Sequence, residues 1–209
     1  QVIHEVIDIL EVKAKEKSIG LEFVALSEVP EAVDTDPARL RQVLTNLIGN
    51  AIKFTTEGKV TITERYEQSA DGALLFIGVK DSGIGIPEEK LTTIFEPFTQ
   101  AESSTTRRFG GTGLGLTISR KFARAMGGDI VASSDFGHGS EFMITLPIIE
   151  AADRRHSIVL ISPEQAMQHN SNQAAKSRTT WKFDHGRVLV VDDSAENRQL
   201  VNGVLTDAG

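Results

Sequence analysis

Asn46, Asn50 and Lys53 stand at i, i+4 and i+7, a spacing that stacks all three on one face of a helix. Leu40, Val43, Leu44, Leu47 and Ala51 fall on the other face, so one side packs while the other presents polar atoms. An Asn carbonyl is a hard oxygen ligand suited to Mg²⁺, and a lysine three residues on reaches a phosphate bound to that ion. The same row also fits an ordinary solvated face. Downstream, Asp81-Ser82-Gly83-Ile84-Gly85-Ile86 puts an acid at a strand end, followed by glycines that let backbone approach a planar ligand closely. A carboxylate there accepts from an exocyclic amine, although a plain strand-to-helix turn has the same composition. Gly110-Gly111-Thr112-Gly113-Leu114-Gly115-Leu116 then opens a helix whose free N–H groups favour bound phosphate.

The common phosphate loops do not account for these glycines. A dinucleotide fingerprint needs a parallel strand directly before them, and here a long loop precedes. A Walker A loop needs Gly-Lys-Ser/Thr, which does not follow. Composition narrows the chemistry further. The absence of Cys excludes disulfides, thiolate zinc sites and cysteine nucleophiles. A formal charge of -7 without a dense Lys/Arg block argues against nucleic acid as a partner. No apolar run approaches the roughly 20 residues that cross a bilayer, and the N-terminal stretch lacks the layout of a signal peptide, so no membrane contact is expected.

The elements that must position these residues follow from periodicity and punctuation. Apolar residues from Val2 to Leu10 recur at helical spacing and the pattern continues to Lys17; Gly20 then precedes a strand over Leu21 to Leu26. Asp36-Pro37 is a helix start with a mechanism, Asp capping free N–H groups and Pro fitting the first helical position, and that helix should run to about Phe54. Lys59 to Glu67 and Ala73 to Lys80 read as antiparallel strands joined by a turn. Ser82 to Gly115 is mostly loop with a short helical stretch beginning at Pro87. Leu116 to Met126 is helical, and Asp129 to Ser134 and Ser140 to Leu146 form a last strand pair. Glu164 to Thr180, rich in Gln, Asn, Ser and Ala, reads as a linker of low order. The apolar run Ile158 to Ile161 has no functional reading.

Together, Asn46-x-x-x-Asn50-Ala51-x-Lys53-Phe54, Asp81-Ser82-Gly83-Ile84-Gly85, Phe95-Glu96-Pro97-Phe98 and Gly111-Thr112-Gly113-Leu114-Gly115-Leu116 resemble the N, G1, F and G2 boxes of bacterial sensor histidine kinases, in the family's order. The resemblance covers roughly Gln1 to Pro147. It implies the Bergerat-type α/β (α+β) two-layer sandwich of the GHKL superfamily, a mixed, largely antiparallel sheet with helices on one face. It implies ATP and Mg²⁺ as cofactors, with Asn50 as the metal ligand, Asn46 and Lys53 as phosphate and metal contacts, and Asp81 reading the adenine amine. Gly83, Gly85 and Ile86 would line the base pocket, and Gly111, Thr112, Gly113, Leu114, Gly115 and Leu116 the phosphates. Gln100 to Gly111 resembles the ATP lid, with Phe95 and Phe98 anchoring its start and Arg107, ahead of Arg108, the candidate γ-phosphate contact.

Hydrolysing relatives carry a Glu one helical turn before the metal Asn, where it activates water; here that position is Asn46, and an amide is a poor general base. The resemblance therefore favours phosphoryl donation to an external nucleophile over hydrolysis. The family's acceptor is a His followed closely by acidic residues and Pro, on a dimerising helical hairpin. His4-Glu5 lacks the Pro and reads as a surface helix position, and His138, His156, His169 and His185 lack the context too. The acceptor is thus expected on a separate hairpin of a homodimeric parent, cytoplasmic and anchored in the bacterial inner membrane.

Residues 187–209 resemble the opening strand, the acidic pair Asp192-Asp193 and the first helix of a receiver domain, as in a hybrid kinase. They are too few for an independent core, since domains start near roughly 50 residues. The expected organisation is a connector helix over 1–18, an ATP-binding catalytic domain over 19–150, a linker over 151–186 and the start of a receiver-like domain over 187–209. The alternative is a regulatory or interaction module in which nucleotide only reshapes the docking surface, without transfer.

Overall fold

The computed structural model describes residues 1–69, 72–99, 113–148 and 159–173. Its elements in chain order are α1 (Val2–Glu16), β1 (Gly20–Ala25), β2 (Val29–Pro30), α2 (Pro37–Phe54), β3 (Lys59–Ser69), β4 (Gly72–Asp81), α3 (Glu88–Leu91), α4 (Gly115–Ala125), β5 (Asp129–Asp135), β6 (Gly139–Ile148), β7 (Leu160–Ile161) and α5 (Pro163–Gln173).

The central element, α2, starts where its first two residues say it should. The Asp36 side chain accepts from the Ala38 and Arg39 amides at 3.0 and 3.1 Å, and Pro37 opens the helix. Leu40, Val43, Leu44, Leu47, Ile48, Ala51 and Ile52 are buried, which gives α2 one continuous apolar face. Its C-terminal end is closed from another helix. Lys17, just past α1, donates to the carbonyls of Ile52, Lys53 and Thr55 at 2.6, 2.9 and 2.9 Å. A cation on the carbonyls at this end offsets the negative pole of the helix dipole.

Five strands form one sheet in the order β1-β3-β4-β6-β5; β1 and β3 run parallel and the remaining pairs antiparallel. Side chains alternate across the sheet. Val60, Ile62, Leu75, Ile77, Val79, Ile130, Ile144 and Leu146 belong to one buried cluster with Val6 and Leu10 of α1, Val43, Leu47 and Ile48 of α2, and Ala123 of α4. The expected two-layer sandwich, with a largely antiparallel sheet and its helices on one face, is the fold observed.

The end of the described chain departs from expectation. Residues 163–173 form α5 where a weakly ordered linker was expected, and Leu160-Ile161 pair with Val29-Pro30 as a second, two-stranded sheet. His4, expected on the surface, is 8% exposed, its ring edge-on to Phe23 at 4.8 Å. Both differences have one cause: β7 and α5 fold back onto α1, β1 and β2 and bury what the first helix alone would expose. Among the described residues no helix is long and apolar enough to cross a membrane.

Candidate functional site

The polar row of α2 is not a freely solvated face. Asn46, Asn50 and Lys53 are each half-buried, because α4 packs across the helix there. Asn46 Nδ2 donates to Ser119 Oγ of α4 at 2.9 Å, and Asn50 Nδ2 lies 3.5 Å from Asn46 Oδ1. This relay turns each amide nitrogen toward the protein and leaves the Asn50 carbonyl oxygen for other partners. Gly115 makes the approach of α4 feasible. A Cβ at that position would stand 2.5 Å from Asn46 Oδ1, closer than any side chain tolerates. The Lys53 ammonium sits 4.9 Å from the Phe54 ring centroid.

Asp81 ends β4 and is 7% exposed. The Gly83 amide donates to its Oδ1 at 2.8 Å, and the Ser140 backbone hydrogen-bonds the same carboxylate. Burial outweighs these two bonds and raises the carboxyl above its ordinary value. The Asp-x-Gly turn that follows is held against the end of α2: a Cβ on Gly83 would stand 2.5 Å from the Phe54 carbonyl oxygen and 2.8 Å from Asp81 Oδ1. The Ile84 amide reaches the same Phe54 carbonyl at 3.4 Å, Gly85 lies against Asp135, and the Ile86 amide donates to Ser134 Oγ at 2.7 Å. The strand-end acid and the amide helix thus meet at the last turn of α2.

After α3 the chain carries Phe95 onto the core, edge-on to Phe142 at 6.5 Å, with the Arg120 guanidinium 4.7 Å over its other side. Arg120 is fixed in turn by a bidentate pair with Asp129 at 2.8 and 3.0 Å, and Arg124 grips the same carboxylate at 3.2 Å twice. Together they hold the Asp129 carboxyl far below the usual range, the Arg120 hydrogen bond first among the causes. Phe98 differs from Phe95. It is 75% exposed with a φ of 62°, and its amide donates to the Gly113 carbonyl at 3.2 Å. That bond joins the last residues before position 100 to the first after 112.

Asn46, Asn50 and Lys53 lie on α2, the Gly83 turn after Asp81 meets its end, and Gly115, at the start of α4 with Leu116, meets Asn46, while Gly113 lies against Phe98. Gln100, Arg107, Arg108, Gly111 and Thr112 lie outside the described residues, as do residues 187–209. Ser119 and the Arg120–Asp129 pair were not singled out from the sequence. Ser119 carries a faint signal, one helical turn after Gly115; a partnership nine residues apart between Arg120 and Asp129 carries none.

An α/β sandwich with a buried strand-end acid, an amide row and two glycine-dependent approaches is the frame of an ATP-binding domain, and residues 35–150 match the family of histidine kinase-, DNA gyrase B- and HSP90-like ATPases. The chain belongs to that family. Within it, the chain is 36% identical over 206 residues to the sensor protein GacS of Pseudomonas syringae pv. syringae, covering 97% of this chain and 22% of that protein. It is 41% identical over 182 residues to the autoinducer 2 sensor kinase/phosphatase LuxQ of Vibrio cholerae, covering 85% of this chain and 20% of that one. The chain therefore spans about a fifth of the length of these relatives. Among solved structures, the nucleotide-free catalytic domain of histidine kinase ThkA superposes with a TM-score of 0.57 at 32% identity, over 70% of this chain and 92% of that domain. Full-length ShkA in complex with AMPPNP gives 0.62 at 33% identity, over 72% of this chain and 30% of that one.

Proposed function

We propose that this chain binds Mg-ATP and donates the γ-phosphoryl group to a histidine on a separate dimerisation hairpin, in two-component signalling. The observation that carries the reading is the junction at the last turn of α2, where the Gly83 turn, bonded to the Asp81 carboxylate, meets the end of the helix that bears the Asn46–Asn50 row. The residues fit the ligand. Asp81 offers an acceptor oxygen for an exocyclic amine, and glycine at 83 lets the turn after it close onto the end of α2 and donate to that carboxylate. The Asn50 carbonyl oxygen is a hard donor of the kind Mg²⁺ takes, and the bound ion would supply charge neutralisation at the phosphates.

The division of labour follows from the same contacts. Asp81 selects the base. Asn46, pinned through Ser119, holds the Asn50 amide in the orientation that presents oxygen, and Lys53 lies one turn on as a phosphate contact. With an amide at 46, this row contains no general base for water, so the site positions the phosphoryl group for a nucleophile brought by another domain. Arg107 and the lid segment would complete the phosphate contacts. The catalytic unit is assigned to 19–150, with 1–18 as its connector, 151–186 as a linker and 187–209 as the start of a receiver. The hairpin and that receiver are the partners, in a dimeric parent anchored at the bacterial inner membrane.

Calorimetric titration of Mg-ATP into the chain and into Asn50→Ala, followed by addition of a hairpin domain and assay of phosphohistidine, tests this. Binding that falls at least about 30-fold in Asn50→Ala, roughly 2 kcal/mol, and transfer only with the hairpin present are expected. Nucleotide binding without transfer to the added hairpin would leave the interaction-module reading standing instead, and no nucleotide binding by the unaltered chain would overturn the kinase reading.

A further inference from the structure

Residues 159–173 occupy a corner made by α1, β1 and β2, away from the site residues in both sequence and contacts. Three kinds of contact hold them. Leu160 and Ile161 pair antiparallel with Pro30 and Val29, and the Glu31 amide extends the pairing by donating to the Val159 carbonyl at 2.8 Å. Ala166 is 5% exposed in a small apolar cluster with Ala25 and Val29, ringed by Phe23, Tyr66 and Ile161. His4 Nε2 lies 2.9 Å from the Ala166 carbonyl oxygen; a carbonyl only accepts, so the proton is on Nε2.

The segment is also built to start a helix at this place. Ser162 and Gln165 form a reciprocal capping box: the Gln165 amide donates to Ser162 Oγ at 3.3 Å and the Ser162 amide to Gln165 Oε1 at 2.9 Å, with Pro163 at the first helical position. An 11-residue helix rich in Gln and Asn is marginal alone, so its order comes from docking. A small residue at 166 is what lets the helix backbone come within hydrogen-bonding distance of His4.

We infer that residues 159–173 are a strap whose docking site is the His4–Phe23–Val29 corner, and that it fastens the first turns of α1 to the body of the domain. On the proposed reading of α1 as the connector from the dimerisation hairpin, the strap ties the chain leaving the catalytic unit to the chain entering it. A domain that pulls on residues after 173 then acts directly on α1. The same contact removes His4 from the surface as a phosphoryl acceptor, since its Nε2 is already committed to Ala166.

Hydrogen exchange on the whole chain tests this, with two variants that act differently. Ala166→Arg overfills the corner; Ser162→Ala weakens the helix start without touching α1. In both, amides of α5 and of residues 2–8 are expected to exchange faster together, by about tenfold or more, while β4 and β6 keep their protection. Mg-ATP affinity should stay within about twofold, because neither residue belongs to the nucleotide site. Loosening of α5 with residues 2–8 unchanged in both variants would overturn the strap, and so would unprotected α5 amides in the unaltered chain. The kinase reading is tested separately, by nucleotide binding, and neither result depends on the other.

Discussion

Asn46 and Ser119 are 73 residues apart in the chain, and His4 and Ala166 are 162 apart; each pair meets through a single hydrogen bond of 2.9 Å. Around Asn46 the surroundings are amides, a carboxylate and glycines, and what is conspicuous is where side chains are missing. Around Ala166 the surroundings are small apolar side chains and one histidine, closed over by a strand pair. The first region is polar and needs a missing side chain for its close approach, whereas the second is packed with apolar side chains. Two junctions of similar bond length are thus built differently, and the residue at the point of closest approach distinguishes them: glycine at 115 lets α4 close onto Asn46, and Ala166 packs into an apolar cluster.

The sharpest way to break that contrast is to add a side chain at the polar junction. Gly115→Val puts carbon where Asn46 Oδ1 stands, 2.5 Å from the ideal Cβ. Phosphoryl transfer to the hairpin should fall by roughly 100-fold, about 2.7 kcal/mol, in a single-turnover assay, while circular dichroism shows the fold retained. Transfer near the unaltered level would mean that the Asn46 relay is not part of the site.

The next effect is on pH. Recognition of an exocyclic amine needs Asp81 ionised, and burial has raised its pKa. ATP affinity should decline as pH falls through that raised value, by about tenfold per pH unit once below it. Stability runs the other way: the folded pKa lies above the unfolded one, so protonation favours the fold at low pH and that gain is lost as pH rises through the folded value. Calorimetry for binding and thermal melts for stability, across one pH series, should show the two trends opposed; parallel trends would remove Asp81 from base recognition.

Ser119→Ala is smaller. It removes one neutral hydrogen bond to Asn46, worth about 1 kcal/mol, so transfer should slow about fivefold with ATP affinity nearly unchanged; Ser119→Thr, which keeps the hydroxyl, should recover it. Smallest is Asp129→Asn, at a partly exposed site where solvent screens the pairs with Arg120 and Arg124. Its pKa is lowered on folding, so its stabilisation is present above the usual carboxylate range and fades as pH falls through the depressed value. The melting temperatures of variant and parent should therefore differ at neutral pH and converge in acid.

What could be read from the sequence divides along the same line. Asp36-Pro37 marked the start of α2 because a cap and a first-position proline act through neighbouring residues alone. The amide row and the Asp-x-Gly turn were visible because their chemistry requires particular residue types at fixed spacing. The strap was not. Its strand contributes two residues, too few for an alternating pattern, and the sequence of its helix is rich in Gln and Asn. Ser162-Pro163-Glu164-Gln165 holds a helix-start signal that the compositional reading of residues 164–180 as a linker did not use. His4 could not be placed as buried from α1 alone, since the groups that cover it come from β1 and from the far end of the domain.

The bond from the Phe98 amide to the Gly113 carbonyl gives the fold one more property. It sets Phe98 beside Gly113, so the two ends of the intervening segment are held at one place in the domain. For a flexible closed loop, doubling the length costs about 0.6 kcal/mol in closure entropy. A change in the number of residues between this pair should therefore cost little and leave the sheet, α2 and α4 as they are.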